Sequence, residues 1–156
     1  MSALTEISGP PVDESVTGRW IFDRVQEWAK RGPDRTAFVL DHADRLEEFT
    51  YADVVRLMDR IAAGLEARGV RRGDRVGILM ENVPHWVFAL LGILRIGGVV
   101  VPLAPALPES SVERLSTHSQ CRLVFSDAQN LEKARKANAE VIQLPSEEFL
   151  NSGGNP

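Results

Sequence analysis

The chain has 156 residues, enough for one domain with its own core. Hydrophobic residues make up 44% and charged residues 26%, as in ordinary soluble globular proteins. A formal net charge of −4 and a pI near 5.4 argue against a non-specific binder of nucleic acid or of an anionic membrane. Positive charge is almost all arginine, with lysine only at Lys30, Lys133 and Lys136. The single cysteine, Cys121, excludes an internal disulfide framework and a multi-cysteine metal site. It fits a reducing compartment, and the N-terminus lacks the basic-then-apolar pattern of a secretory signal, so a cytoplasmic protein is expected.

Residues 1–17 are small and polar around Gly9-Pro10-Pro11 and read as a mobile arm. Trp20, Ile21, Val25 and Trp28 then recur at helical spacing, which predicts an amphipathic helix over Arg19–Lys30 stopped by Gly32-Pro33. Ile21, Val25 and Trp28 fall on one stripe, so core packing is expected of them ahead of an aromatic ligand platform. Thr36–Leu40 and Glu47–Thr50 flank a polar loop and predict a β-hairpin. Asp41, His42 and Asp44 at its tip are too few for a closed metal site and read as solvated turn formers. Thr50-x-x-Asp53 is a capping-box variant opening a long helix. Its buried stripe is Val54, Leu57, Met58, Ile61 and Leu65, and Gly69 takes its stop position.

The centre of the chain is a βαβ unit. Val76, Ile78, Leu79 and Met80 form a strand after the Gly73-Asp74 turn. Asn82 is the expected helix cap, with Pro84 in the first turn. Val83–Ile96 is apolar on all sides, which predicts a helix buried on more than one face, too short and too interrupted by Arg95 to span a bilayer. Gly97-Gly98 ends it, and Val99-Val100-Val101 reads as a strand buried on both faces. Ala104–Pro108 is a stiff connector. Ser110-x-x-Glu113 reads as a second capping box, for a helix running to about His118. Leu123-Val124-Phe125 is a buried strand, Ala128–Asn138 an amphipathic helix with a Glu132–Lys136 pair, and Val141–Leu144 a weaker fourth strand. The fold class is therefore α/β: a mainly parallel sheet of three or four strands, helices on both faces and an N-terminal hairpin. Residues 18–144 form one α/β subdomain, and residues 145–156 read as a tail or severed linker.

Three elements of this pattern resemble the early N-terminal region of adenylate-forming enzymes, which include acyl- and aryl-CoA synthetases, peptide-synthetase adenylation domains and luciferases. They are Phe49-Thr50-Tyr51-Ala52-Asp53, the turn Gly69–Val76, and Leu94–Leu103 with its Gly97-Gly98 and Pro102. The resemblance covers roughly Trp20 to Asp127 and is specific as a set, although each piece alone is structural. It implies the N-terminal portion of an ATP-dependent ligase that activates a carboxylic acid to an acyl-adenylate and passes it to a thiol. The style of Val99–Pro105 looks more like an acyl- or aryl-CoA synthetase than a peptide-synthetase domain. For the whole enzyme the resemblance implies ATP, Mg and coenzyme A.

The residues that such chemistry needs are not legible in this chain. The family's phosphate-holding loop is rich in Ser, Thr and Gly and ends in lysine, and Ser152-Gly153-Gly154 lacks both the threonine run and the lysine. Gly97-Gly98 lacks the spacing of a dinucleotide turn, and no GxxxxGK[ST] or GxSxG occurs. His42, His85 and His118 share no ligand spacing, with His85 expected at an exposed helix rim. Cys121 reads as a small buried hydrophobe. The helix start after Asn82 offers no more to an anion than any helix does. No catalytic, cofactor-binding or metal residue is therefore assigned, and the chain alone is expected to bind none of the cofactors. Its expected partner is the remainder of a ligase, with a homodimer through exposed apolar edges as a further expectation. Neither nucleic acid nor membrane is expected. The alternative is a non-catalytic interaction module that keeps the same fold.

Overall fold

The computed structural model describes residues 19–153; the expected arm, residues 1–17, lies outside them, as do residues 154–156. The elements are α1 (Arg19–Arg31), β1 (Thr36–Asp41), β2 (Leu46–Thr50), α2 (Tyr51–Ala67), β3 (Arg75–Leu79), α3 (Pro84–Arg95), β4 (Val99–Pro102), α4 (Glu109–His118), β5 (Cys121–Ser126), α5 (Leu131–Ala134), β6 (Glu140–Gln143) and α6 (Glu147–Asn151). β1 and β2 pair antiparallel as a separate hairpin, and the other four strands form a sheet in the order β4-β3-β5-β6. All three of its pairings are parallel. The expected α/β class, parallel sheet and hairpin are all present. Among the described residues no helix is long and apolar enough to cross a membrane.

Strand alternation sends successive side chains to opposite faces of the sheet. Val76, Ile78, Leu123 and Phe125 point to one face, where they meet α2, α3 and α6 together with Phe22 of α1 and Phe49 of β2. Leu79, Val124 and Cys121 point to the other face, where Val112 of α4 and Ala134 of α5 cover them. Sheet packing thus produces two cores, each sealed by helices.

Local chemistry explains most element ends. Thr50 accepts a bond from the Asp53 amide at 3.1 Å, and the Asp53 carboxylate accepts one from the Thr50 amide at 3.0 Å, completing the capping box. The α2 stripe is buried as its spacing predicts, from Val54 through Leu65. Gly69 follows α2 with φ +75°, a conformation that glycine adopts without steric cost. α2 and α3 cross closely at Gly92, where a Cβ would lie 2.7 Å from Ile61 Cβ. Gly77 leaves room for Val124 in the same way on the opposite face of the sheet.

Several expectations are corrected. Val83, not Asn82, precedes α3, with no side-chain cap, because Pro84 forces its predecessor into extended backbone (φ −121°, ψ 158°). α3 buries Phe88, Ala89, Leu91, Gly92 and Ile93, while Trp86, Val87, Leu90 and Leu94 are half-buried on its outer side. β4 is an edge strand, and Val99 is 46% exposed, so the valine run is not buried on both faces. α4 starts from Pro108, which places Ser110 inside the first turn, where it caps nothing. The helix expected over Ala128–Asn138 shrinks to Leu131–Ala134, because Asp127 and Asn130 spend those residues on a side-chain-held turn; Glu132 pairs with Arg135 at 2.5 Å instead of with Lys136. Within α1, Phe22 is the buried aromatic, while Trp28 is 39% exposed and stacks on Tyr51. Trp20's side chain lies outside the described residues. The stretch read as a tail also carries α6, whose Phe149 is buried against α2.

Candidate functional site

In an open parallel α/β sheet, ligands gather beyond the carboxyl ends of the strands, where the direction of winding reverses. Here β3 connects through α3 to β4 on one side, and the chain then returns to β5 and β6 on the other. The reversal lies between β3 and β5. The loops that leave those two strands carry Met80-Glu81-Asn82 and Asp127–Asn130. A cavity of about 340 Å³ opens there, lined by Met80, Glu81, Asn82, Trp86 and Pro105.

Asp127 ties the two loops together. Its carboxylate accepts hydrogen bonds from the Glu81 amide at 2.7 Å, the Asn130 amide at 2.9 Å and Asn130 Nδ2 at 2.8 Å. Asn130 is buried and also donates to Glu81 Oε1 at 3.3 Å. Lys133 donates to the Pro105 carbonyl and so joins the connector after β4 to the turn of α5. Both Asp127 oxygens and one Glu81 oxygen are therefore engaged in holding loops. The crevice offers an indole, a proline and an acidic rim. A cluster of cations or free amides that could cradle a triphosphate is absent among the residues lining it, and Glu81 would oppose one. The residues present do not fit the nucleotide's phosphates, and no phosphate-handling step is derived from them.

The residues weighed in the sequence occupy separate places. Asp41 accepts from the Ala43 amide at 2.8 Å and so builds the hairpin tip, while His42 Nε2 lies 2.8 Å from Glu47 Oε2. His118 is exposed at the end of α4. His85 is not at an exposed rim. It is half-buried, edge-on to Phe49 at 5.6 Å and to Phe88 at 5.5 Å. Desolvation there pushes its pKa down, partly offset by the charge of Glu47. Cys121 is buried at the start of β5; burial raises its thiol pKa, and the nearby Arg75 offsets this in part. A buried thiol with a raised pKa is a poor nucleophile. Sequence reasoning missed the Glu81–Asp127–Asn130 clamp. Its one signal was Asp-x-x-Asn directly after a buried strand, a spacing that favours side-chain-capped turns.

A parallel sheet with a winding reversal and a crevice over it defines an open, doubly wound α/β scaffold. Comparison with known proteins makes the family explicit. The family model for AMP-binding enzymes matches residues 25–154. The chain belongs to that family. It is 29% identical over 130 residues to bacitracin synthase 1 of Bacillus licheniformis, spanning 83% of this chain and 2% of that protein. It is 32% identical over 145 residues to 3-hydroxybenzoate–CoA ligase of Aromatoleum sp. (strain CIB), spanning 93% of this chain and 24% of the ligase. Among solved structures, the N-terminal subdomain of Klebsiella oxytoca NpsA superposes with a TM-score of 0.68 at 25% identity, over 85% of this chain and 33% of that one. The nonribosomal peptide synthetase FmoA3, in an alpha-methyl-L-serine-AMP-bound form, gives 0.69 at 31% identity, over 77% of this chain and 13% of that one. The chain thus corresponds to the N-terminal region of adenylate-forming enzymes and spans a small part of each of these relatives' lengths.

Proposed function

We propose that this chain is the scaffold portion of a cytoplasmic adenylate-forming ligase and acts only together with further ligase segments. The observation that carries this reading is the family match over residues 25–154, combined with a crevice whose carboxylates are engaged in holding loops. In the assembled enzyme the reaction is ATP-dependent activation of a carboxylate to an acyl-adenylate, followed by transfer to a thiol. The part played by this chain is to fix the β3 and β5 loops rigidly beside the reacting groups, which is how positioning lowers a barrier without direct contact. For the acceptor we favour coenzyme A, on the 32% identity to an aryl-CoA ligase over 93% of the chain. A peptide-synthetase role, in which the thiol belongs to a carrier domain, is the second reading and is supported by the match to bacitracin synthase 1.

Pyrophosphate release from Mg-ATP, measured with a panel of aliphatic and aromatic carboxylic acids, tests the proposal. The pure chain is expected to show no saturable turnover and no calorimetric binding of Mg-ATP. Turnover by the chain alone would overturn it.

A further inference from the structure

A second cavity lies away from the β3–β5 crevice. It is a groove of about 620 Å³ between α1 and α2, lined by Gln26, Ala29, Lys30, Ala52, Val55, Arg56, Asp59 and Arg60. Ala29, Ala52 and Val55 make its floor apolar and low. Small residues on two adjacent helices let a third helix approach to about 8–10 Å between axes. The walls carry three cations and one carboxylate, although the chain as a whole has a net charge of −4. Two of these wall groups already have partners: Arg56 binds Asp53 at 2.6 Å, and Asp59 binds Arg95 at 3.2 Å. Those pairs hold the walls in place. Among the described residues Lys30 and Arg60, one on each helix beside the apolar floor, have no carboxylate at ion-pair distance.

We propose that this groove docks an acidic amphipathic helix of a partner protein. The apolar stripe of that helix seats on Ala29, Ala52 and Val55, and its flanking carboxylates meet Lys30 and Arg60. The charge pattern selects this occupant. Another helix with basic flanks would face Lys30, Arg56 and Arg60 together, and like-charge juxtaposition suppresses wrong partners. A groove formed between two surface helices contacts its occupant along one side, the arrangement by which amphipathic helices are recognised.

Two synthetic peptides test this, sharing one leucine stripe and differing only in glutamate or lysine flanks. The isotopically labelled chain is titrated with each and followed by amide chemical shifts. The glutamate peptide is expected to move the amides of Ala29, Ala52 and Val55 and to bind about tenfold more tightly than the lysine peptide at low salt. The double variant Lys30→Glu/Arg60→Glu is expected to reverse that order. An unperturbed amide spectrum away from the groove checks that it is folded. Equal affinities, an order unchanged in the double variant, or shifts confined to other surfaces would overturn the proposal. So would movement of the same amides on concentrating the chain alone, which would make a second copy the occupant, or movement with decanoate but neither peptide, which would indicate a small-amphiphile site.

Discussion

His85 is an ionisable ring placed where an aromatic side chain would serve the packing equally well, between Phe49 and Phe88. Its pKa is lowered in the folded chain, so the unfolded chain binds the extra proton more readily. Stability from this group is complete above the ordinary histidine value of about 6.5 and is lost as pH falls below it toward the folded value. Thermal melts between pH 7.5 and 5.5 are expected to show falling stability in the wild type and a flatter profile in His85→Gln. Glu47, whose charge acts on His85, is left in place in both. Asp53 acts in a separate, more acidic window. Its carboxyl is held below the usual range by Arg56, and then by the Thr50 amide, so that contribution is lost only as pH falls through the acidic range. Asp127→Ala removes three accepted hydrogen bonds from the loop clamp and is expected to cost about 2 kcal/mol in urea denaturation. Amide shifts at Glu81 and Asn130 should move with it, while those of α1 stay in place.

At the scale of elements, the arginine-rich composition has a structural use. Arg71 donates to the carbonyls of Glu66 and Val70 at 3.2 and 3.1 Å, and Arg75 donates to the Ser119 carbonyl at 2.8 Å. These carbonyls lie where α2 and α4 end, and cations stabilise helix C-termini. The same end of α2 receives α6. Gly64 makes that contact feasible, since a Cβ there would lie 2.8 Å from Phe149 Cζ, and the Arg68 guanidinium covers the Phe149 ring at 4.7 Å. Phe149→Ala is expected to cost about 3 kcal/mol and to release α6, visible as faster proteolysis after residue 145. This element was hidden in the sequence because its window is rich in Ser, Gly, Asn and Pro. Phe149 is buried against Gly64 of α2 and Phe125 of β5, contacts that local composition does not encode. By contrast Val54, Leu57, Met58, Ile61 and Leu65 announce α2, since every one obeys the helical period and each is buried for that reason. The crevice was less legible. Asp127 and Glu81 meet only after β3 and β5 pair, and no local pattern specifies that pairing.

At the scale of the molecule, both edges of the sheet are short. β4 and β6 contain four residues each, and Val99 on β4 is 46% exposed. Exposed apolar edges favour pairing with another strand. Sedimentation velocity across a concentration series is expected to reveal reversible self-association, and substituting Val99→Lys at the β4 edge is expected to weaken it. A monomer unaffected by Val99→Lys, at high micromolar concentration, would show that the edge is already protected.

The strand order also governs how the chain acquires structure during synthesis. β3 is the first strand of the parallel sheet to be made, and it becomes one of its two central strands, paired on both sides. Each later strand adds outward from a platform already present, β4 on one flank, then β5 and β6 on the other. The β3–α3–β4 unit is contiguous in sequence, whereas the Asp127 clamp must await β5. Hydrogen–deuterium exchange should preserve that history: amides in Val76–Leu79 are expected to exchange last, through global unfolding, and those of β6 and α6 earlier, through partial opening.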